Sequence, residues 1–196
     1  SRPARFPRVR LAVLASGTGS IYKAIIDANV DVSLVLVDRS CAAIELATSN
    51  NTPWLMVERT QFGPDFDRQQ FSRDVVAALM EANIDVVAMA GFGTVLDTPF
   101  FETFEGRVLN THPALLPSFP GWHGVRDALQ HGVKITGCTV HIATLAVDAG
   151  PILAQAPVEV FDTDDEASLH ERIKTVERHL YPETIKKFLA DLETHT

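Results

Sequence analysis

A chain of 196 residues, 46% of them hydrophobic, is enough for one domain around a single substantial core. Its formal charge of −8, from 17 basic and 25 acidic residues, argues against nucleic acid as the main partner, because phosphate backbones are bound by clustered Lys and Arg. No apolar run approaches the roughly 20 residues that a bilayer crossing needs, so no membrane partner is expected. The 7 histidines follow no His-x-x-x-His spacing and the two cysteines, Cys41 and Cys138, form no Cys-x-x-Cys pair, so no metal is expected. Both cysteines lie in apolar surroundings and read as free thiols of a cytoplasmic protein.

Residues 1–9 are basic and broken by proline, and read as a loose tail on one domain spanning 1–196. Strands are expected over 10–15, 32–37, 54–57 and 85–90, with helices over 20–28, 42–49 and 65–81 between them. The helix over 65–81 carries Phe71, Val75, Ala78 and Leu79 at helical spacing. The 85–90 run is apolar after its first residue, as in a strand covered on both faces. This β/α alternation predicts a doubly wound, mostly parallel, Rossmann-like sheet. Farther on, 135–142 and 152–160 are extended runs with no long helix between them, so the C-terminal part of the sheet is expected to be mixed or antiparallel. Asp162-Thr163-Asp164-Asp165 then caps a helix whose buried stripe is Leu169, Ile173, Val176 and Leu180, and Pro182 is expected to start or kink a final helix.

Ligands of such sheets bind outside the carboxyl ends of the strands, which directs attention to three loops. Ser16-Gly17-Thr18-Gly19-Ser20 lies between strand and helix, where backbone N–H groups and the helix dipole suit a phosphate; a tight turn with Ser20 as helix cap explains it equally well. Gly91-Phe92-Gly93-Thr94-Val95-Leu96 follows the 85–90 strand. Asn110-Thr111-His112-Pro113-Ala114-Leu115-Leu116-Pro117-Ser118-Phe119-Pro120-Gly121 follows the short apolar run Val108-Leu109. In extended chain Asn110 and His112 point the same way, offering an amide donor and a group that exchanges protons near neutral pH. Asp148, in Asp148-Ala149-Gly150-Pro151, would favour an imidazolium at His112 if its loop folded over that residue. Taken singly, an Asx turn at Asn110, a structural histidine and a turn aspartate explain these residues. Gly121-Trp122-His123-Gly124 reads as an exposed turn before a further helix.

These blocks, with Gly137-Cys138-Thr139-Val140-His141 and Asp148-Ala149-Gly150-Pro151-Ile152, resemble the phosphoribosylglycinamide formyltransferases, a folate-dependent family of purine synthesis. The resemblance runs from about Arg10 to the final helices. It implies formyl transfer from 10-formyltetrahydrofolate to the glycine amine of phosphoribosylglycinamide, with Asn110, His112 and Asp148 as the catalytic trio. It implies Gly17, Thr18, Gly19 and Ser20 as the phosphate loop, with Glu177 on the ribose and Lys174 near the phosphate. Lys174 and Glu177 are three apart and read equally as a solvated ion pair. For the folate it implies Phe92, Thr94, Val95 and Leu96 together with Asn110 and Asp148. Two departures stand out: Ile21 replaces a usual Asn, and Gly93-Thr94 replace a usual Met-Arg. Pro113 stands where the hydrolytic relatives that release formate carry His. Among assemblies, a homodimer is compatible with the sequence.

Overall fold

The structure, a computed structural model, describes residues 8–195; of the expected tail, residues 1–7 lie outside that range. Apolar runs form strands at Leu11–Ala15 (β1), Leu34–Val37 (β2), Trp54–Met56 (β3), Val86–Met89 (β4) and Val108–His112 (β5). Helices Ser20–Asp27 (α1), Ala42–Ser49 (α2), Arg68–Glu81 (α3) and Thr98–Thr103 (α4) connect them. Crossovers of this kind return each strand parallel to its neighbour, and the order β3-β2-β1-β4-β5 is parallel throughout. After Gly124–His131 (α5), the strands Ile135–Ile142 (β6) and Ile152–Glu159 (β7) add on antiparallel, giving a seven-stranded mixed sheet. The expected fold class is the observed one.

Side chains of β1 alternate between two cores, as a pleated strand requires. Leu11, Val13 and Ala15 pack with Tyr22 and Ile25 of α1 and with Tyr181 and Ile185 of the last helix, Glu166–Thr194 (α6). Ala12 and Leu14 pack on the other face with Phe71, Val75 and Leu79 of α3 and Phe100 of α4. With both faces covered, a central strand has no polar side to show, which is why these runs are continuously apolar.

Three local expectations change. The short α4 was not foreseen; Asp97 caps it, accepting from Thr98 N at 2.7 Å, with Pro99 in its first turn and Phe100 as its buried anchor. Of the two expectations for Pro182, a new helix start does not occur, because α6 is a single element of 29 residues with Pro182 inside it. Tyr181 and Ile185 are both fully buried around it, so packing holds the chain helical past the hydrogen bond proline cannot make. The acidic cap of α6 narrows to Asp165, which accepts from Ser168 N at 2.8 Å while the Ser168 hydroxyl accepts from Asp165 N at 3.1 Å. Asp164 instead takes the Arg172 guanidinium, with bonds of 2.7 and 2.8 Å.

Tyr181 ties α6 to the two strands that carry the site: its hydroxyl donates to Met89 O at 2.8 Å and Leu109 O at 3.0 Å. Tyr181→Phe is expected to cost about 1–2 kcal/mol, since two buried carbonyls lose a donor. Denaturant titration would read this as a lower midpoint at unchanged slope. An unchanged midpoint would mean that those carbonyls find other partners.

From β1 the chain winds outward to β2 on one side and later to β4 on the other, so the loops after β1 and β4 flank the switch point of the sheet, where ligands of such sheets bind. Two bonds set their separation: Ser16 N donates to Gly91 O at 3.2 Å, and Gly93 N to Ser16 Oγ at 2.7 Å.

Candidate active site

Asn110 and His112 lie within β5, not beyond it, because β6 extends the pairing to the end of the motif. The antiparallel register sets Asn110 opposite His141 and His112 opposite Thr139. Thr139 is a buried hub: its hydroxyl donates to Ala114 O at 2.8 Å and accepts from Leu116 N at 3.0 Å. Gln155 of β7 adds a bond to Leu116 O at 2.8 Å. The proline-rich segment after His112 is thereby strapped to the sheet and turns back over the imidazole.

That turn supplies the first partner of His112, whose Nε2 lies 2.8 Å from Phe119 O. A carbonyl can only accept, so Nε2 carries the proton. The other ring nitrogen, Nδ1, faces Asp148 Oδ2 at 3.5 Å, with the two side chains only 6% and 8% exposed. Asp148 Oδ2 is itself held by Gly121 N at 2.8 Å. The Asp148 loop needs special backbone to reach this place. Asp148 has φ +53, and Gly150 admits no side chain because a Cβ would meet Ile142 O at 1.7 Å.

His141 completes the arrangement. Its Nδ1 lies 3.2 Å from Ile142 O, so Nδ1 donates and Nε2 is left with a lone pair, 3.3 Å from Asn110 Nδ2. Asn110 thus gives one amide hydrogen to His141 and keeps the other for a ligand. Burial holds His141 below the ordinary imidazole value, with His112 adding to that effect, against the opposing pull of the Ile142 carbonyl and Asp148. A neutral His141 cannot pair with Asp148 Oδ1 at 3.7 Å, which leaves the carboxylate to His112.

The other expected site residues surround this group unevenly. Gly17 and Thr18 are exposed, and nothing lies within 4 Å of where a Gly17 Cβ would be, so the loop backbone is open. The cap of α1 is Gly19, buried with φ +76, and exposed Ser20 is the first helical residue instead of the cap. Phe92 and Leu96 turn their side chains into the core beside Phe100, and only Val95 of this loop is exposed among the large residues. Thr94 points inward and its hydroxyl donates to the fully buried Asp38 at 2.7 Å. Any contact from Phe92, Thr94 or Leu96 to a ligand would therefore come from the backbone.

Glu177 does not pair with Lys174 in solvent. It is 8% exposed and accepts from Thr111 Oγ1 at 2.7 Å, while Lys174 stays at the rim 4.0 Å from Glu171. Burial raises Glu177 above the ordinary carboxyl value, against the Thr111 bond and nearby His112, Lys174 and Arg178. Strand alternation turns Thr111 toward α6 and Asn110 and His112 the other way, so Glu177 and the trio flank the β5 end from opposite faces. Cys138, buried and near Glu177, has its thiol pushed up to about 12 and is no nucleophile.

Sequence reasoning gave no role to His141, Thr111 or Asp38. Antiparallel pairing of two adjacent strands was the available signal for His141, but its position opposite Asn110 depends on a register that pattern alone leaves open. Among the described residues no cluster of His, Cys, Asp or Glu could hold a metal, and no helix is long and apolar enough to cross a membrane.

Known proteins are similar to this chain in sequence and in fold. The formyl transferase family profile matches residues 9–185. Phosphoribosylglycinamide formyltransferase of Mycobacterium tuberculosis is 47% identical over 191 residues, covering 95% of this chain and 86% of that protein. A trifunctional purine biosynthetic protein of Drosophila melanogaster is 37% identical over 187 residues, 91% of this chain and 14% of its own length. The crystal structure of glycinamide ribonucleotide transformylase 1 from Symbiobacterium toebii superposes with a TM-score of 0.86 at 35% identity, covering 94% of this chain and 89% of that one. A profile that spans most of the chain, and relatives that share its sequence as well as its sheet, lead to one conclusion: this chain belongs to the formyl transferase family.

Proposed function

We propose that the protein, acting as one formyltransferase domain over 1–196 in the cytoplasm, transfers the formyl group of 10-formyltetrahydrofolate to the glycine amine of phosphoribosylglycinamide in purine synthesis. The observation that carries this is the meeting of Asn110, His112 and Asp148 at the end of β5, with the Cys138 thiol near that strand held in its protonated form. Such a site suits a reaction whose nucleophile is the substrate's own amine.

In this reading the amine nitrogen attacks the formyl carbon, the carbonyl oxygen gains charge, and the folate nitrogen leaves as it takes up a proton. Asn110 Nδ2 donates its free hydrogen to the oxyanion. His112, anchored through Nε2, works through Nδ1, whose 3.5 Å separation from Asp148 is too long for a committed hydrogen bond and leaves it available to the same oxygen. Asp148 faces the ring and receives the amine proton on its way to the folate nitrogen. The loop 17–20 takes the phosphate with Lys174 near it, Glu177 the ribose, and backbone groups near Phe92, Thr94, Val95 and Leu96 the folate, beside Asn110 and Asp148. A homodimer is compatible with this reading and is not required by it.

The test is formyl transfer with both substrates beside a folate-only control. Transfer that requires the ribonucleotide supports the reading; formate release from folate alone, or binding without turnover, contradicts it. A second expectation concerns Gly124, where a Cβ would stand 3.1 Å from both His112 Nε2 and Phe119 O. Gly124→Ala should press on that hydrogen bond and lower kcat roughly tenfold by shifting the imidazole, without touching substrate. Unchanged kcat would mean that the α5 start yields instead.

A further inference from the structure

We infer that Arg39 is a further ligand of the ribonucleotide, reaching its phosphate from the end of β2 through space that Gly93 leaves open. This rests on the substrate reading above. Arg39 lies just past β2, the neighbour of β1, from where side chains of a doubly wound sheet reach ligands lying over the first loop. Asp38 beside it is fully buried and fixes the guanidinium through Nε at 3.0 Å and Nη2 at 3.1 Å. The same carboxylate receives Thr94 Oγ1 at 2.7 Å and a bond from Ser16. One buried anion therefore sets Arg39 against the loops after β1 and β4 together.

Two of the five guanidinium N–H groups are used this way, and the side chain remains 45% exposed, so donors remain for an anion. A Cβ on Gly93 would lie 3.2 Å from Arg39 Nη2 and 3.6 Å from Ser16 Oγ. A longer side chain, such as the Met of the usual family loop, would compete for the space the guanidinium occupies. The Gly93-Thr94 pair thus removes one cation from the loop and seats another. Gly17, Thr18, Gly19 and Ser20 offer no charge of their own, and Lys23 of α1 is already paired with Asp27. A fork-shaped cation next to open amides matches a phosphate monoester.

Steady-state kinetics on the full chain, varying each substrate separately, tests this. Arg39→Ala should raise the KM for the ribonucleotide roughly tenfold or more, the loss of charge-assisted hydrogen bonds, while the folate KM stays put. Arg39→Lys should recover only part, because one ammonium cannot hold Asp38 and grip the phosphate together. If Arg39→Ala fails to fold with Asp38 left behind, Gly93→Met gives an independent reading. Its backbone lies outside the left-handed region, and its side chain should dislodge the guanidinium while Asp38 keeps a partner. An unmoved ribonucleotide KM, or a rise confined to folate, would overturn the inference. Absence of transfer by the unaltered chain would overturn the substrate reading instead. Calorimetry with ribose 5-phosphate then judges Arg39 alone: weaker binding by Arg39→Ala upholds it, and equal binding overturns it.

Discussion

Asp148→Asn is expected to lower kcat by roughly 100-fold or more while the protein stays folded, the usual cost of losing a positioned proton acceptor. Asn is among the few side chains that accept φ near the +53 of this position, so the loop backbone need not change. The Gly121 amide can keep its partner, now Oδ1 of the new residue. That orientation leaves the same oxygen facing His112 Nδ1 and turns Nδ2 toward His141 Nε2, in place of the Asp148 oxygen that lies 3.7 Å from it. The ring keeps its place, with Nε2 still on Phe119 O. The result is a site of nearly unchanged shape with no carboxylate to take the amine proton. Single-turnover rates with both substrates saturating, beside a thermal midpoint near that of the unaltered chain, would check this. A rate close to the unaltered one would remove Asp148 from the proton path.

Asn110→Ala carries the second large expectation, a fall in kcat of roughly 100-fold with little change in either KM. The amide earns this weight from its setting: one hydrogen is committed to His141 at 3.3 Å, which aims the other. A large rise in KM instead would make Asn110 a binding residue. The same contact predicts a pH effect. Because the folded value of His141 lies below its ordinary 6.5, the stability from keeping it neutral is fully present above that ordinary value. It is lost as pH falls through the lower folded value, where Nε2 becomes a donor and repels the Asn110 amide. Activity and stability should therefore decline together on the acid side. His141→Gln keeps an acceptor but cannot titrate, so its acid limb should flatten; an unchanged limb would point to another group.

Much of this was legible from residues because the parallel half of the sheet obeys one rule: strands covered on both faces are apolar, and their carboxyl ends carry the polar loops. What escaped depended on contacts between distant segments. His141 meets Asn110 only through the β5–β6 register, next to an irregularity at Val140/His141 in its pairing with β7. Pro182 looked like a boundary because local propensity favours one, and burial of Tyr181 overrode it. The Lys174 and Glu177 spacing was read correctly as one helical neighbourhood, but spacing does not say that Thr111 waits beneath Glu177. Asp38 resembled any acidic residue at a strand end until the two loops above it were found to share its carboxylate.

The Asp148 oxygen that faces His112 also receives the Gly121 amide. The order of the 118–123 turn and the readiness of the reaction centre are therefore a single equilibrium. A molecule whose turn swings outward has lost the anchor of its carboxylate and the carbonyl that orients its imidazole. Deuterium uptake at one backbone position, Gly121, would then measure how often the assembled centre comes apart.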